Sequence, residues 1–157
     1  MNHFVYKMPP GRLTIVADDF AIKEIHFGAI ELACPFRPSL LTNRAATELQ
    51  EYFAGKRFAF DVPIDPAGSD FQRAVWNALL EIPYGEVRTY SQIASDVGKP
   101  KGYRAVGMAC NKNPIPIIIP CHRVLGANGA LTGYAGGLNV KQYLLKLETG
   151  SKKDRGR

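Results

Sequence analysis

The sequence predicts an α+β chain in two parts: a small N-terminal unit of strands and one helix, then a mostly helical unit carrying a helix-turn-helix. Three observations carry that reading. In the first third, apolar residues such as Leu13, Ile15 and Ala17 alternate along the chain, the period of a strand. From residue 69 onward, apolar residues recur at helical spacing behind residues that cap helices. Between these regions, Pro63-Ile64-Asp65-Pro66-Ala67-Gly68 has the composition of a linker. The expected division is an α+β domain over 1–66, a second domain over 67–150 and a basic tail over 151–157.

Charge divides the chain at the same place. Residues 1–66 hold 7 Lys and Arg against 8 Asp and Glu, a net of −1, whereas residues 67–157 hold 13 against 6, a net of +7. A basic second half is the electrostatic footprint of a nucleic-acid partner. A solvated basic surface with a charged tail (Lys152, Lys153, Arg155, Arg157) would give the same balance. With 157 residues, 46% of them hydrophobic, the chain can build one or two real cores. No apolar run approaches the ~20 residues of a membrane span, and Met1 to Pro10 lacks a signal-peptide pattern. A cytoplasmic protein, nuclear in a eukaryote, without membrane partners is expected. Nothing suggests oligomerisation, so a monomer is expected. Cys34, Cys110 and Cys121 are an odd, sparse set, expected to stay reduced.

In chain order, residues 1–32 read as short strands, with Asp18-Asp19 as a turn and Phe20 to Phe27 as a partner strand. Thr42 or Asn43 can cap a helix whose Ala45, Ala46, Leu49, Tyr52 and Phe53 share a face, and Gly55 ends it. Phe58, Phe60 and Val62 alternate as a further strand. His3 and His26 have no ligand-spaced partners and read as ordinary histidines.

Past the linker, Ser69 and Gln72 form a capping box before a helix that buries Phe71, Val75, Ala78 and Leu79, with Trp76 nearby. Thr89 and Gln92 form a second one, and Tyr90, Ile93, Ala94 and Val97 share the face behind it. Gly98 and Pro100 stop that helix. Another is expected from about Lys101 to Lys112, with Tyr103, Val106, Gly107 and Cys110 on an apolar face and Arg104, Ala105, Met108 and Ala109 on another side. Two short helices across a glycine turn form the motif that sets its second helix in a DNA groove, and small residues there allow close approach to the backbone. Many helical hairpins share the pattern, so the basic balance of this half is needed beside it.

Ile115 to Ile119, bracketed by prolines, reads as a buried strand that delivers Cys121 against His122 and Arg123. Cationic neighbours lower a thiol's pKa, and the thiolate is the reactive form. A lone cysteine is otherwise usually buried and inert. A cysteine nucleophile needs a base, and the base an orienting group; Cys121, His122 and Glu148 can fill those roles, with Asn113 upstream. Adjacent side chains on an extended chain point opposite ways, so a direct Cys121–His122 bond would need a turn or a bridging water. Ala127-Asn128-Gly129-Ala130 is a hairpin signal that would pair Val124-Leu125 with Leu131-Thr132. Gly133 to Gly137 reads as a loop. A last helix uses Val140, Tyr143, Leu144 and Leu147 and ends at Glu148, and the charged tail past Gly150 is expected to be disordered.

Pro120-Cys121-His122-Arg123-Val124 resembles the signature of the O6-alkylguanine-DNA alkyltransferases. The likeness continues through Phe71-Gln72, Val75-Trp76, Ile82-Pro83-Tyr84-Gly85, Thr89-Tyr90-Ser91, Ile93-Ala94, Arg104-Ala105-Val106-Gly107, Asn113-Pro114, Tyr134, Gly136-Gly137, Leu144-Leu145 and Glu148, in family order. It covers about 69–150; the first 65 residues agree only in outline. The resemblance implies a ribonuclease-H-like N-terminal domain and a winged-helix-like DNA-binding domain. It also implies direct-reversal DNA repair, in which an O6-alkylguanine is flipped from the duplex and its alkyl group moves once, irreversibly, to Cys121. O4-alkylthymine is an expected second substrate. A base inside the stack is beyond a side chain's reach, and a damaged base costs least to extrude.

By that resemblance Cys121 accepts the alkyl group, His122 deprotonates it through a water, Glu148 holds His122, and Asn113 braces the turn. Tyr90 would donate a hydrogen bond to the leaving guanine; by periodicity alone it is a core tyrosine. Arg104 would fill the gap left by the flipped base, with Tyr103, Ala105 and Gly107 beside it on the DNA side. Tyr134, the Ala135 backbone and the Val124 carbonyl would line the pocket. Ala135 departs from the serine common at that position, which puts the range of alkyl groups in doubt. No cofactor is implied, and the zinc ligands of some relatives have no counterpart here. A non-catalytic relative that binds lesions would lack the cysteine, and a cysteine hydrolase would leave the helix-turn-helix unexplained.

Overall fold

The structure of the chain, a computed structural model, describes the backbone of residues 1–155 and the side chains of residues 1–150. It divides into two compact units, Met1–Ala67 and Gly68–Arg157.

The first unit is a three-stranded antiparallel meander, β1 (Asn2–Tyr6), β2 (Leu13–Ala17) and β3 (Ile22–Phe27), with helix α1 (Leu40–Phe53) packed on it. β2 is central, and all five of its residues are buried, so the alternation read from Leu13, Ile15 and Ala17 understates it: Thr14 and Val16 are hidden as well. The Asp18 carboxylate accepts the N–H groups of Phe20 and Ala21 and closes the β2–β3 turn. α1 starts one turn before the expected cap. Ser39 is the N-cap and Thr42 is its reciprocal partner, a capping box written without Glu or Gln.

The strand expected at Phe58 to Val62 does not form. The N–H groups of Asp61 and Val62 donate instead to Glu48 Oε1, at 2.8 and 3.1 Å, so a buried carboxylate takes the place of a neighbouring strand. His3 is buried with Nδ1 3.3 Å from Cys34 Sγ, and His26 contacts Glu24.

The second unit is mostly helical. α2 (Asp70–Leu80), α3 (Tyr90–Asp96) and α4 (Tyr103–Asn111) pack together, and α5 runs Leu138–Arg155. Both sequence-predicted capping boxes, Ser69 with Gln72 and Thr89 with Gln92, are present. α2 buries Val75, Trp76 and Leu79 and leaves Phe71 and Ala78 only part-covered. The Trp76 indole N–H donates to Ala109 O at 2.9 Å, which fastens α2 to α4. α3 and α4 form the helix-turn-helix, with Gly98 at φ 77° in its turn, a conformation costly for other residues. The inward face of α4 is Val106, Ala109 and Cys110; Ala109 belongs to it and Tyr103 does not.

Two expectations downstream fail. The hairpin at Asn128-Gly129 closes as a single turn, Gly126 N to Ala130 O at 2.8 Å, but no ladder follows. Val124-Leu125 (β5) pairs instead, in parallel, with Arg88-Thr89 (β4). α5 continues past Glu148 through Arg155, where the sequence predicted a disordered tail; Gly156 and Arg157 lie outside the described residues. Among the described residues no helix is long and apolar enough to cross a membrane.

Candidate active site

The apolar run before Cys121 is buried, as its composition requires, but it is a folded-back turn and not a strand. Asn113 organises it: Oδ1 accepts from Ile115 N and Nδ2 donates to Ile119 O, both at 2.9 Å. Ile119 N also donates to Ile115 O at 2.9 Å, and Ile117 sits at φ 75°, a strained value for a β-branched residue. The chain leaves this loop directly into a 3₁₀ turn, Cys121–Arg123. With about three residues per turn, successive side chains there diverge: Cys121 and His122 leave in different directions.

His122 is fully buried, and its Nε2 lies 2.7 Å from Glu148 Oε2. Arg123, next along the turn, grips the same carboxylate with Nε to Oε1 at 2.8 Å and a second guanidinium N–H to Oε2 at 3.1 Å. Its remaining arm donates to Ile82 O at 2.7 Å, and the guanidinium lies 5.7 Å from the centre of the Tyr84 ring. Gly85 N adds a further donor to Oε1 at 3.2 Å. Burial alone would raise the Glu148 pKa, but the hydrogen bonds and charges of His122 and Arg123 outweigh it and hold the carboxyl at about 2. Burial lowers the His122 pKa against the pull of Glu148, and the Arg123 and Lys141 charges add to that lowering. A neutral ring that donates Nε2–H to a carboxylate has its lone pair on Nδ1. That Nδ1 is buried and has no hydrogen-bond partner among the described residues.

Cys121 is 6% exposed. The sequence predicted a thiol whose pKa is lowered by its cationic neighbours; the structure corrects this. Burial pushes the thiol up, opposed by a hydrogen bond from Asn113, the charge of Lys141 and a backbone hydrogen bond at Cys121 itself. Arg123 is spent on Glu148.

Lys141 is the residue that sequence reasoning missed. It is fully buried on α5, and its Nζ donates to Val124 O at 2.8 Å and Thr132 O at 3.4 Å. The inward stripe of α5 is Lys141, Leu144 and Glu148, with Tyr143 exposed. The spacing from Lys141 to Leu144 to Glu148 was the available signal, because Glu148 already marked which face turns inward.

Tyr90 follows β4 and Val124 opens β5, so the short parallel ladder fixes both. The Tyr90 hydroxyl meets Thr132 Oγ1 at 2.5 Å. Burial raises the Tyr90 and Tyr134 pKa values, and in both the charge of Cys121 contributes in the same direction. The Tyr134 ring stands edge-on to His122, centroids 6.5 Å apart. Ala135 lies in the turn that Gly137 N closes onto Tyr134 O at 2.9 Å. Tyr103, Arg104 and Ala105 are exposed at the start of α4, with the Arg104 guanidinium 5.9 Å from the Tyr103 ring centre. Gly107 instead faces Tyr90; a Cβ there would lie 3.9 Å from the ring. Among the described residues, no group of three or more His, Cys, Asp or Glu side chains could hold a metal ion.

Comparison with known proteins is consistent across both units. The family model for the DNA binding domain of 6-O-methylguanine DNA methyltransferase matches residues 70–150, and that for its ribonuclease-like domain matches residues 1–66. A methylated-DNA–protein-cysteine methyltransferase of Methanosarcina acetivorans is 48% identical over 153 residues, covering 94% of this chain and 98% of the relative. One from Mycobacterium tuberculosis is 58% identical over 104 residues, covering 66% of this chain and 63% of that one. The crystal structure of Mycobacterium tuberculosis OGT in complex with DNA superposes with a TM-score of 0.91 at 42% identity, covering 96% of this chain and 94% of that one. With a buried thiol, a carboxylate-held histidine and a helix-turn-helix in one unit, and the family models matching nearly end to end, this chain belongs to the 6-O-methylguanine DNA methyltransferase family.

Proposed function

We propose that this chain repairs alkylated DNA by direct reversal, acting as a methylated-DNA–protein-cysteine methyltransferase whose alkyl acceptor is Cys121. The observation that carries this reading is the buried line from Glu148 to His122 beside the Cys121 turn. Glu148 fixes the Nε2–H tautomer, leaving the Nδ1 lone pair to accept the thiol proton through one water. The thiolate attacks the alkyl carbon in line; the sulfur–carbon bond forms as the carbon–O6 bond breaks. A proton returns to the guanine ring, which leaves as ordinary guanine. Tyr90 donates a hydrogen bond to the leaving base as negative charge develops there.

A thioether does not revert, so each molecule acts once. The same displacement fits O4-alkylthymine. Arg104, with Tyr103 and Ala105, meets the DNA on the outer face of α4, and Tyr134, Ala135 and the Val124 carbonyl line the base pocket. A chromosome-repair role places the protein in the cytoplasm, or in a nucleus.

Incubation with duplex DNA carrying O6-methylguanine, followed by intact-mass measurement, tests this. The expected result is a single methylene mass on the peptide containing Cys121, saturating at one per protein. No mass gain, or turnover beyond one equivalent, overturns it.

A further inference from the structure

The sequence offers Thr132 only as part of a hairpin strand, yet its hydroxyl touches the Tyr90 phenol, the group read as acting on the leaving base. Tyr90 OH and Thr132 Oγ1 are 2.5 Å apart, so one must donate to the other. The two directions have opposite consequences. A phenol has one proton. If Tyr90 gives it to Thr132, none is left for guanine. If Thr132 donates, Tyr90 accepts on its oxygen and keeps its proton for the pocket.

The surroundings of Thr132 hold its hydroxyl in place. Its carbonyl accepts from the buried Lys141 ammonium at 3.4 Å, the same group that donates to Val124 O at 2.8 Å. Its methyl group backs onto Gly126, where even a Cβ would come within 3.2 Å of Cγ2. A β-branched side chain so confined has little rotamer freedom, and its oxygen is left on the Tyr90 side. Cleavage of the carbon–O6 bond leaves negative charge on the guanine, shared between O6 and acceptor nitrogens of the ring, so only the direction that keeps the phenol proton free for the base is compatible with transfer.

We propose that Thr132 is a positioning residue for alkyl transfer: its hydroxyl donates to the Tyr90 oxygen and so directs the phenol proton at the leaving guanine. A phenol that accepts one hydrogen bond is a stronger donor in the next, so the chain from Thr132 through Tyr90 to guanine is cooperative. The proposal rests on the reading that Tyr90 donates to the base.

Single-turnover transfer rates with an O6-methylguanine duplex, measured beside affinity for the same duplex, test it in a double-mutant cycle. Thr132→Val keeps the branched shape and loses the hydroxyl; it should slow transfer roughly fivefold to tenfold, the worth of one hydrogen bond, with affinity unchanged. Thr132→Ser should restore the rate. In a Tyr90→Phe background, Thr132→Val should cost nothing further. A wild-type rate for Thr132→Val, or an equal slowing in the Tyr90→Phe background, overturns the role of Thr132 and leaves Tyr90 intact. A wild-type rate for Tyr90→Phe alone overturns both readings.

Discussion

His122 Nε2 and Glu148 Oε2 lie 2.7 Å apart, on side chains 26 positions apart in sequence. The carboxylate does not serve the histidine alone, since Arg123 occupies both of its oxygens. Glu148 therefore orients the ring without making it strongly basic, and His122 stays neutral and able to take a proton. The arginine also keeps the carboxylate ionised although it is buried, a state that needs pairing to persist.

This arrangement predicts a stability profile in two steps. Glu148, held at about 2 from an ordinary 4.5, stabilises the fold above its ordinary value and loses that contribution as pH falls through its folded value. The loss amounts to about 3 kcal/mol by linkage. His122 has a lowered folded pKa, so the unfolded chain takes up a proton that the fold refuses, and stability also falls as pH drops below 6.5. Urea midpoints should decline first below pH ~6.5 and more steeply below ~4.5. A flat profile to pH ~3 would contradict both assignments.

Glu148→Gln should unfold at a markedly lower temperature than the parent. It strips the counter-charge from buried Arg123, and breaking such a pair costs on the order of 3–5 kcal/mol. Calorimetry reads this directly, and the lower of the two acid steps should vanish in the same variant. A melting temperature within a degree or two of the parent's would show that water replaces the carboxylate at no cost.

Among the described residues, Lys141 is the cation that lowers the Cys121 thiol pKa. Lys141→Met removes it, so the thiol pKa should rise, and the pH at which Cys121 is half-maximally alkylated by iodoacetamide should move upward. Lys141→Arg keeps the charge and should leave that pH near the parent's. Val124 O also loses its donor in the methionine variant, at a cost of about 1–3 kcal/mol. A lower stability with an unmoved alkylation profile would make Lys141 a strut only.

What could be read from the sequence was what is spelled locally. Ser69 with Gln72 and Thr89 with Gln92 lie three residues apart, and both helices start there. The buried character of Ile115 to Ile119 was legible because composition reports burial; its folded-back path was not, because that depends on Asn113 bonding two backbone groups across the loop. The Phe58 to Val62 strand failed for a similar reason, since the partner for its N–H groups is a side chain, Glu48, on a helix. Cys121, His122 and Glu148 stood out by residue type, and the structure joins the last two by a hydrogen bond. Lys141 did not, because a lysine reads as a surface residue until the fold closes over it, and Thr132 was read only as part of a hairpin strand that does not form.

Gly68, read as part of a linker, is pressed against the core of the second unit. A Cβ there would lie 2.5 Å from Trp76 Cη2 and 2.8 Å from Gln72 Oε1, the capping-box oxygen. Gly68→Ala must displace either the buried indole, and with it the hydrogen bond to Ala109, or the cap of α2. A destabilisation of about 1–3 kcal/mol is expected, measured by urea unfolding. An alanine tolerated within experimental scatter would mean that the linker swings clear of Trp76.

Arg104 can be separated from the chemistry by choosing the substrate. It is exposed at the start of α4, with its guanidinium 5.9 Å from the centre of the Tyr103 ring. Flipping a nucleotide costs a few kcal/mol, and a side chain that fills the vacated stack lowers that cost. Arg104→Ala should therefore slow transfer from an O6-methylguanine duplex on the order of tenfold or more. Transfer from a free O6-alkylguanine base needs no extrusion, so its rate should be that of the parent. Equal losses on both substrates would instead mean that Arg104 supports the fold, and no loss on either would remove it from the DNA face; the duplex-only defect is the outcome that assigns it to base extrusion.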